Sequence, residues 1–377
     1  MISLNTKIQA FFSKAFNLPV LKKSRLQWID YLKGIAIFLV VYRHTLIGIE
    51  RSGLKIPEIA FKANMVFFSF RMPLFFMLSG IFITGSLKKR NLKQFISTKF
   101  ENLFYPFLIW AFIQISLQIL LADFTNTGRK PFDYIRLLYD PHKIDHFWYL
   151  PALFNTTVIY ALFKYKTKIK NWQQILLGLI LFFTAPYIQN LSVISDWMSF
   201  YIFFAIGDVI SDFFFKETTQ NFLKRSSSLL IVIPLFVVSQ LYYLSNITVG
   251  EDYYANGFGL FQFLLIALSG CLTMFVIAFR LQTLNILSFL RVIGYHSLYI
   301  YVMHVMVAAF VRIIMTKLFH IYNPMVLLIL GTFFAVIIPV IIYNFFIYKS
   351  FGWFLFSYHK DKQYPKTQNK VASTVAI

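Results

Sequence analysis

Charge is scarce in this chain, and acidic charge most of all. Charged residues make up 14% of the 377 positions, with 15 Asp and Glu against 36 Lys and Arg. A soluble domain carries about a quarter charged residues, so this sequence cannot cover itself with a water-compatible surface. Cysteine is nearly absent. The single copy, Cys271, lies inside an apolar run and excludes an intramolecular disulfide. Glycine-rich phosphate loops, cysteine clusters and Gly-x-Ser-x-Gly elbows are missing too, so nucleotide hydrolysis and serine-esterase chemistry find no support.

What fills the space is hydrophobic. Apolar residues account for 58% of the chain and phenylalanine alone occurs 46 times. An integral membrane protein is the class that fits. The formal net charge of +21 would point to nucleic acid in a soluble protein. Here the basic residues sit in short clusters between apolar runs, the pattern of cytoplasmic loops.

A span needs roughly 20 apolar residues. About ten such runs are legible, near 31–49, 64–86, 103–122, 147–164, 172–188, 197–215, 227–245, 257–279, 294–315 and 324–347. The expected fold is therefore all-α, a polytopic bundle of about ten transmembrane helices. Basic clusters fall at alternate gaps: Lys88-Lys89-Arg90 with Lys93, Lys164 to Lys170, Lys216 with Lys224 and Arg225, Arg280 with Arg291, and the tail from Lys349. This alternation predicts that both termini are cytoplasmic. The opposite gaps are mixed or weakly acidic, the longest running from Asp123 to His146 and another carrying Glu251 and Asp252.

Three regions follow: a basic N-terminal segment 1–30, a membrane domain 31–350 and a short polar tail 351–377. The first 25 residues lack a small-residue cleavage site after an apolar core, so they are not read as a removed signal peptide. Phe11, Phe12, Phe16 and Leu18 among lysines suit an amphipathic segment on an anionic leaflet.

Ionisable groups inside a span are costly and mark functional sites. The first run carries Asp30 and Lys33 near its start and Arg43-His44 within it. Lys33 and His44 are eleven residues apart, which places them within about 20° of one helix face and roughly 16 Å apart along the axis. Arg43 projects about 100° away from His44. One face thus offers a cation near the cytoplasmic end and a potential base deeper in. Lys33 also has a plain reading as a snorkelling interface residue, and His44 as a hydrogen-bonded structural histidine. In the second run, Arg71 is expected near the depth of His44, where a permanent cation keeps an imidazole neutral or holds an oxyanion. Its packing alternative is an ion pair with a carboxylate such as Glu58. Pro73 is expected to interrupt the local ladder, and Ser79-Gly80 to allow close helix approach.

Weaker signals lie elsewhere. His142 and His146, with Asp145, have helical metal-ligand spacing but no third convincing ligand nearby, and no metal is expected. Trp148 suits an interface anchor or a sugar-stacking surface. Ser297 and His304, seven apart on one face with Tyr301 between, can line a cavity or serve as core residues.

Four stretches together resemble the membrane acyltransferase-3 family. They are Asp30-Tyr31-Leu32-Lys33-Gly34 through Arg43-His44; Phe70-Arg71-Met72-Pro73-Leu74-Phe75-Phe76; His146-Phe147-Trp148-Tyr149-Leu150; and Gly294-Tyr295-His296-Ser297-Leu298-Tyr299-Ile300-Tyr301-Val302-Met303-His304. They occur in family order across roughly 25–350. The Lys-Gly and Met-Pro-Leu-Phe-Phe wording is most similar to stand-alone sugar O-acetylases of the fucose 4-O-acetylase type.

The resemblance implies transfer of an acyl group, usually acetyl, from cytoplasmic acetyl-CoA or another acyl-CoA to a hydroxyl of an envelope or lipid-linked glycan. It implies a bacterial cytoplasmic membrane, no nucleic-acid partner, His44 as the catalytic histidine and Lys33 in the place of a basic residue often Arg. Two departures stand out. The family's Arg-x-x-Arg after the second span reads Lys99-Phe100-Glu101-Asn102 here, and Arg71 stands where His is frequent. In the mechanism expected, CoA phosphates bind near Lys33 and Lys88 to Arg90, His44 acts as general base or acyl carrier, and Arg71 faces the oxyanion. Trp148, Ser297 and His304 contact the acceptor. The rival class is a glycan or lipid exporter, for which Asp208 and Asp212 are the candidate coupling carboxylates; a catalytically inert scaffold is a third.

Overall fold

In a bilayer every backbone N–H and C=O must be satisfied within the protein, which leaves an apolar chain of this kind little choice but helix. The computed structural model describes residues 13–16, 18, 26–167, 169–246, 259–348 and 350–359, and no strand occurs among them. Most of the N-terminal amphipathic segment, Lys168, the Glu251-Asp252 gap, Lys349 and the tail beyond His359 lie outside the described residues.

The helices in chain order are α1 Gln27–Glu50, α2 Glu58–Val66, α3 Phe68–Ile81, α4 Ile83–Lys88, α5 Leu92–Lys99, α6 Tyr105–Leu120, α7 Asp133–Tyr139, α8 Tyr149–Leu162, α9 Asn171–Thr184, α10 Ser192–Phe214, α11 Glu217–Lys224, α12 Ser226–Ser245, α13 Leu260–Leu284, α14 Phe289–Tyr295, α15 Ser297–Lys317 and α16 Pro324–Ile342. Among the described residues eight stretches are long and apolar enough to cross a membrane: Gln27–Glu50, Glu58–Lys88, Leu92–Leu120, Ser192–Phe214, Ser226–Ser245, Leu260–Leu284, Ser297–Lys317 and Pro324–Ile347.

That is fewer than the ten runs read from sequence. The runs at 147–164 and 172–188 become α8 and α9, of 14 residues each. Fourteen residues of α-helix span about 21 Å, short of a hydrocarbon core of ~30 Å. Tighter or wider turns take over at their ends, with lysines after α8 and Pro186 after α9. Pro73 removes a ladder bond as expected but does not end the helix. It lies inside α3, which continues through it and is bounded by Phe67 and Phe82. A proline near the start of a helix removes a single ladder bond, here the one to Ser69.

The chain divides into two compact units. One comprises Met1–Phe61, Leu108–Pro131 and Asn285–Ile377; the other comprises Lys62–Phe107 and Phe132–Leu284.

The first unit is built around α1, with α14, α15 and α16 against it. Glycine permits the closest of these contacts. A Cβ on Gly34 would collide with the Leu290 carbonyl, and one on Gly294 with the Asp30 carbonyl. The Tyr31 hydroxyl fastens the same crossing by donating to the Ile286 carbonyl at 2.9 Å. Towards the other end of α1, Leu46 and Ile49 pack with Ala60, Leu327 and Leu328. There the Tyr42 hydroxyl donates to the Ala60 carbonyl at 2.9 Å, and Asn126 Nδ2 to the Gly48 carbonyl at 2.8 Å.

The second unit centres on α3 and α10. Gly80 meets the Phe204 carbonyl and Gly207 the Met77 carbonyl so closely that neither place admits a side chain. Small residues let membrane helices approach in this way, which bears out the packing reading of Ser79-Gly80. Aromatic rings fill the layer between them, with Phe76 and Phe200 stacked at 4.6 Å.

Candidate functional site

α1 is apolar enough to be buried along most of its length, and its ionisable residues are held there by their neighbours in sequence. Trp28, Tyr31, Leu32, Val40, Val41 and Leu46 are buried, while Lys33 and His44 are half-buried. α14 crosses α1 beside Lys33, at Gly34. The chain then turns at Tyr295-His296 and α15 leads away to meet α1 again at His44. There the imidazoles of His44 and His304 approach edge-on, with ring centroids 5.2 Å apart and planes inclined by 60°.

His304 is completely buried. Its Nδ1 lies 2.7 Å from the Tyr301 carbonyl and 3.1 Å from the Ile300 carbonyl of its own helix. Carbonyl oxygens only accept, so Nδ1 carries the hydrogen and Nε2 the lone pair of the neutral ring. The sequence placed both histidines among the site residues but did not pair them. Position 44 and position 304 are joined only by tertiary structure.

Ser297 opens α15, half-buried and seven residues before His304. Beside it lies a histidine that sequence reading left in the background. His296 is fully buried, donates from Nδ1 to the Val292 carbonyl at 2.8 Å and accepts at Nε2 from Asn344 Nδ2 at 3.0 Å. Asn344 Nδ2 also reaches the Ala15 carbonyl at 2.8 Å. Through Asn344, in the wide turn that follows α16, His296 is linked to the N-terminal segment. Arg291 is the other residue whose place was not legible. It is buried in α14, next in the chain to Leu290, whose carbonyl abuts Gly34.

Arg71 and Trp148 belong to the second unit. Arg71 is buried in α3, where Nη1 donates to Asn64 Oδ1 at 3.2 Å and the guanidinium stands 5.8 Å from the Phe68 ring. Trp148 is half-buried and stacked against His142 at 4.9 Å and Phe200 at 5.5 Å. His142 in turn faces Asp196, with Nδ1 3.1 Å from Oδ1. The His142-His146 spacing therefore serves packing and an acid–imidazole contact. Among the described residues no three metal-ligating side chains gather.

Asp208, one carboxylate the exporter reading relied on, is buried and pinned. It accepts from Thr84 Oγ1 at 2.5 Å and from the Tyr160 hydroxyl at 2.6 Å, and it pairs with the Lys164 ammonium. Asp212 is exposed. A carboxylate neutralised by a lysine and two hydroxyls is a structural knot between α4, α8 and α10.

The fold and these residues describe a multi-pass membrane protein with an imidazole pair set among apolar helices. The chain belongs to the acyltransferase-3 family, whose "Acyltransferase domain" model matches residues 26–344. It is a membrane acyltransferase, and nothing in this result favours an exporter. No curated protein and no solved structure shows a significant match to the chain.

Proposed function

We propose that this membrane acyltransferase moves an acyl group, acetyl in the first instance, from cytoplasmic acyl-CoA to a hydroxyl of an envelope or lipid-linked glycan in a bacterial cytoplasmic membrane. The sugar O-acetylase likeness of its motifs supports the acceptor class. The observation that carries the chemistry is the half-buried His44 ring backed by the buried His304.

In this reading His44 is the general base. The acceptor O–H bond breaks as its proton passes to an imidazole nitrogen, and the oxygen attacks the thioester carbonyl carbon. The tetrahedral intermediate collapses with loss of the C–S bond. The departing CoA thiolate then takes the proton back from the imidazolium, leaving the ester, free thiol and the original ring. An acyl-histidine route uses the same residue as nucleophile. Lys33 supplies a cation for the CoA phosphates, and Arg71 is assigned the developing oxyanion. Ser297, His304 and Trp148 are the residues assigned to the acceptor end.

Transfer of labelled acetyl from acetyl-CoA in inverted membrane vesicles tests the proposal. Loss of a general base costs about 10²–10⁴-fold, and His44→Ala is expected to fall by at least the lower figure. Transfer that survives His44→Ala undiminished removes His44 as catalyst. Movement of intact glycan without labelling would restore the exporter. Arg71→Lys keeps the charge but not the planar fork, and a drop in kcat is the expected result.

A further inference from the structure

The proposed mechanism leaves one arginine of α15 unused. Arg312 lies inside the apolar stretch Ser297–Lys317 and is half-buried. Its carbonyl accepts from Thr316 Oγ1 at 2.9 Å, but its guanidinium makes no hydrogen bond or ion pair among the described residues. The helix does not turn it towards lipid. At ~100° per residue, the exposed Phe310 and Ile314 stand about 160° round α15 from Arg312. Tyr301 and Val305 stand within about 20° of it, and Ala308 and Thr316 within about 40°. All four are buried or half-buried. Arg312 therefore shares the inward face of α15.

Its level along the unit follows from two contacts. His304, eight residues earlier and about 12 Å along the axis, meets the His44 ring. Met315, three residues later, packs against the cluster of Leu46, Ile49 and Leu328, at the end of α1 remote from Lys33. Arg312 thus stands on the far side of His44 from Lys33. A guanidinium keeps its charge, and ionisable groups inside a span pair with one another or mark a substrate path. Its planar fork fits a phosphate through two parallel N–H···O bonds. We propose that Arg312 binds the phosphate of the acceptor, which is then a sugar carried on a phosphate ester of a membrane lipid; the acceptor assignment rests on the acyl-transfer reading. Helical side chains lean towards the N-terminus, here the His304 side, so the guanidinium and the imidazole can hold opposite edges of one sugar ring. Donor and acceptor then enter from opposite ends, CoA phosphates at Lys33 and the acceptor phosphate at Arg312, with His44 between them. A phospholipid head group carries the same phosphate chemistry and is the competing source.

Equilibrium binding of labelled farnesyl phosphate to the full-length protein in non-ionic detergent tests the site. Arg312→Met keeps the stem and removes the charge, and its Kd is expected to rise roughly ten- to a hundredfold. Arg312→Lys keeps the charge without the fork and is expected to fall between. Farnesol, which lacks the phosphate, is expected to bind both proteins alike. Equal Kd for farnesyl phosphate in wild type and Arg312→Met overturns the proposal. Should Arg312→Met fail to fold, an unchanged Kd in Arg312→Lys does the same. Phosphatidylglycerol at equal concentration and coenzyme A in excess are expected not to displace the probe. Displacement by phosphatidylglycerol assigns the site to head groups, displacement by coenzyme A assigns the probe to the donor end, and either overturns the acceptor assignment.

The product gives a second readout. Label transferred from acetyl-CoA in inverted vesicles is expected to extract with lipid and to be released into water by mild acid, as a glycosyl phosphate is. Label on an acid-stable glycan overturns the acceptor class and leaves the acyl-transfer reading standing. Absence of any label transfer sinks the acyl-transfer reading instead, and the binding of farnesyl phosphate still decides whether Arg312 holds a phosphate.

Discussion

Lys33 sits half-buried where α14 crosses α1, with Arg291 of that helix next to the point of contact. In the proposed function a cation at this position serves the phosphates of the acyl donor. Lys33→Ala is expected to raise KM for acyl-CoA several-fold while KM for the acceptor moves little; the reverse pattern would refute a phosphate role. A second residue-scale expectation concerns Asp208, which is buried while its partner Lys164 keeps some access to solvent. Removing one member of a buried pair strands the other. Lys164→Met is expected to lower stability by up to about 3 kcal/mol, and Asp208→Asn with Lys164→Met to regain much of it, as read from thermal midpoints in detergent. A single variant as stable as the wild type would show that the pair is idle. At this scale the sequence disclosed which residues were unusual but not whom they met. It flagged Asp208 as out of place in a span and gave no sign of Lys164 or Tyr160, because those contacts join distant helices.

Between elements, glycine positions decide how near two helices may come. Gly34 and Gly294 let α1 and α14 touch backbone to backbone, and Gly48, on the same helix, faces open space. Opposite outcomes follow from one substitution. Gly34→Ala forces a Cβ against the Leu290 carbonyl and is expected to cost about 1–3 kcal/mol by overpacking. Gly48→Ala is expected to stabilise α1 by about 0.5–1 kcal/mol through helix propensity. Thermal melts of the two variants side by side check this, and equal shifts would contradict the close seam. Hydrophobic runs were legible at this scale because a bilayer demands long apolar helices. The ends of α8 and α9 were not. Lysines follow α8 and Pro186 follows α9, but the change to wider turns after α8 and tighter turns after α9 is not encoded in hydropathy.

For the whole molecule, charge alternation and span count bear on the same question. Among the described residues eight stretches qualify as candidate spans, and an even number of crossings would bring the chain back to the side from which it started. The positive clusters at alternate gaps predict that this side is cytoplasmic. Reporters fused to either end are therefore expected to behave alike, fluorescent as a green fluorescent protein fusion and inactive as an exported phosphatase fusion; opposite behaviour at the two ends would require an odd number of crossings. By itself the sequence determined the membrane class, the helical fold, the apolar runs and the family motifs, because each is written in local composition and spacing that the bilayer reads directly. Lys33 and His44 could share a face by helical period alone. Only the tertiary structure decided that His44 meets His304 and that Asp208 is neutralised. Those partners lie far apart along the chain, and their encounter depends on how α14 and α15 turn around α1 and how α8 packs on α10, which no local period encodes.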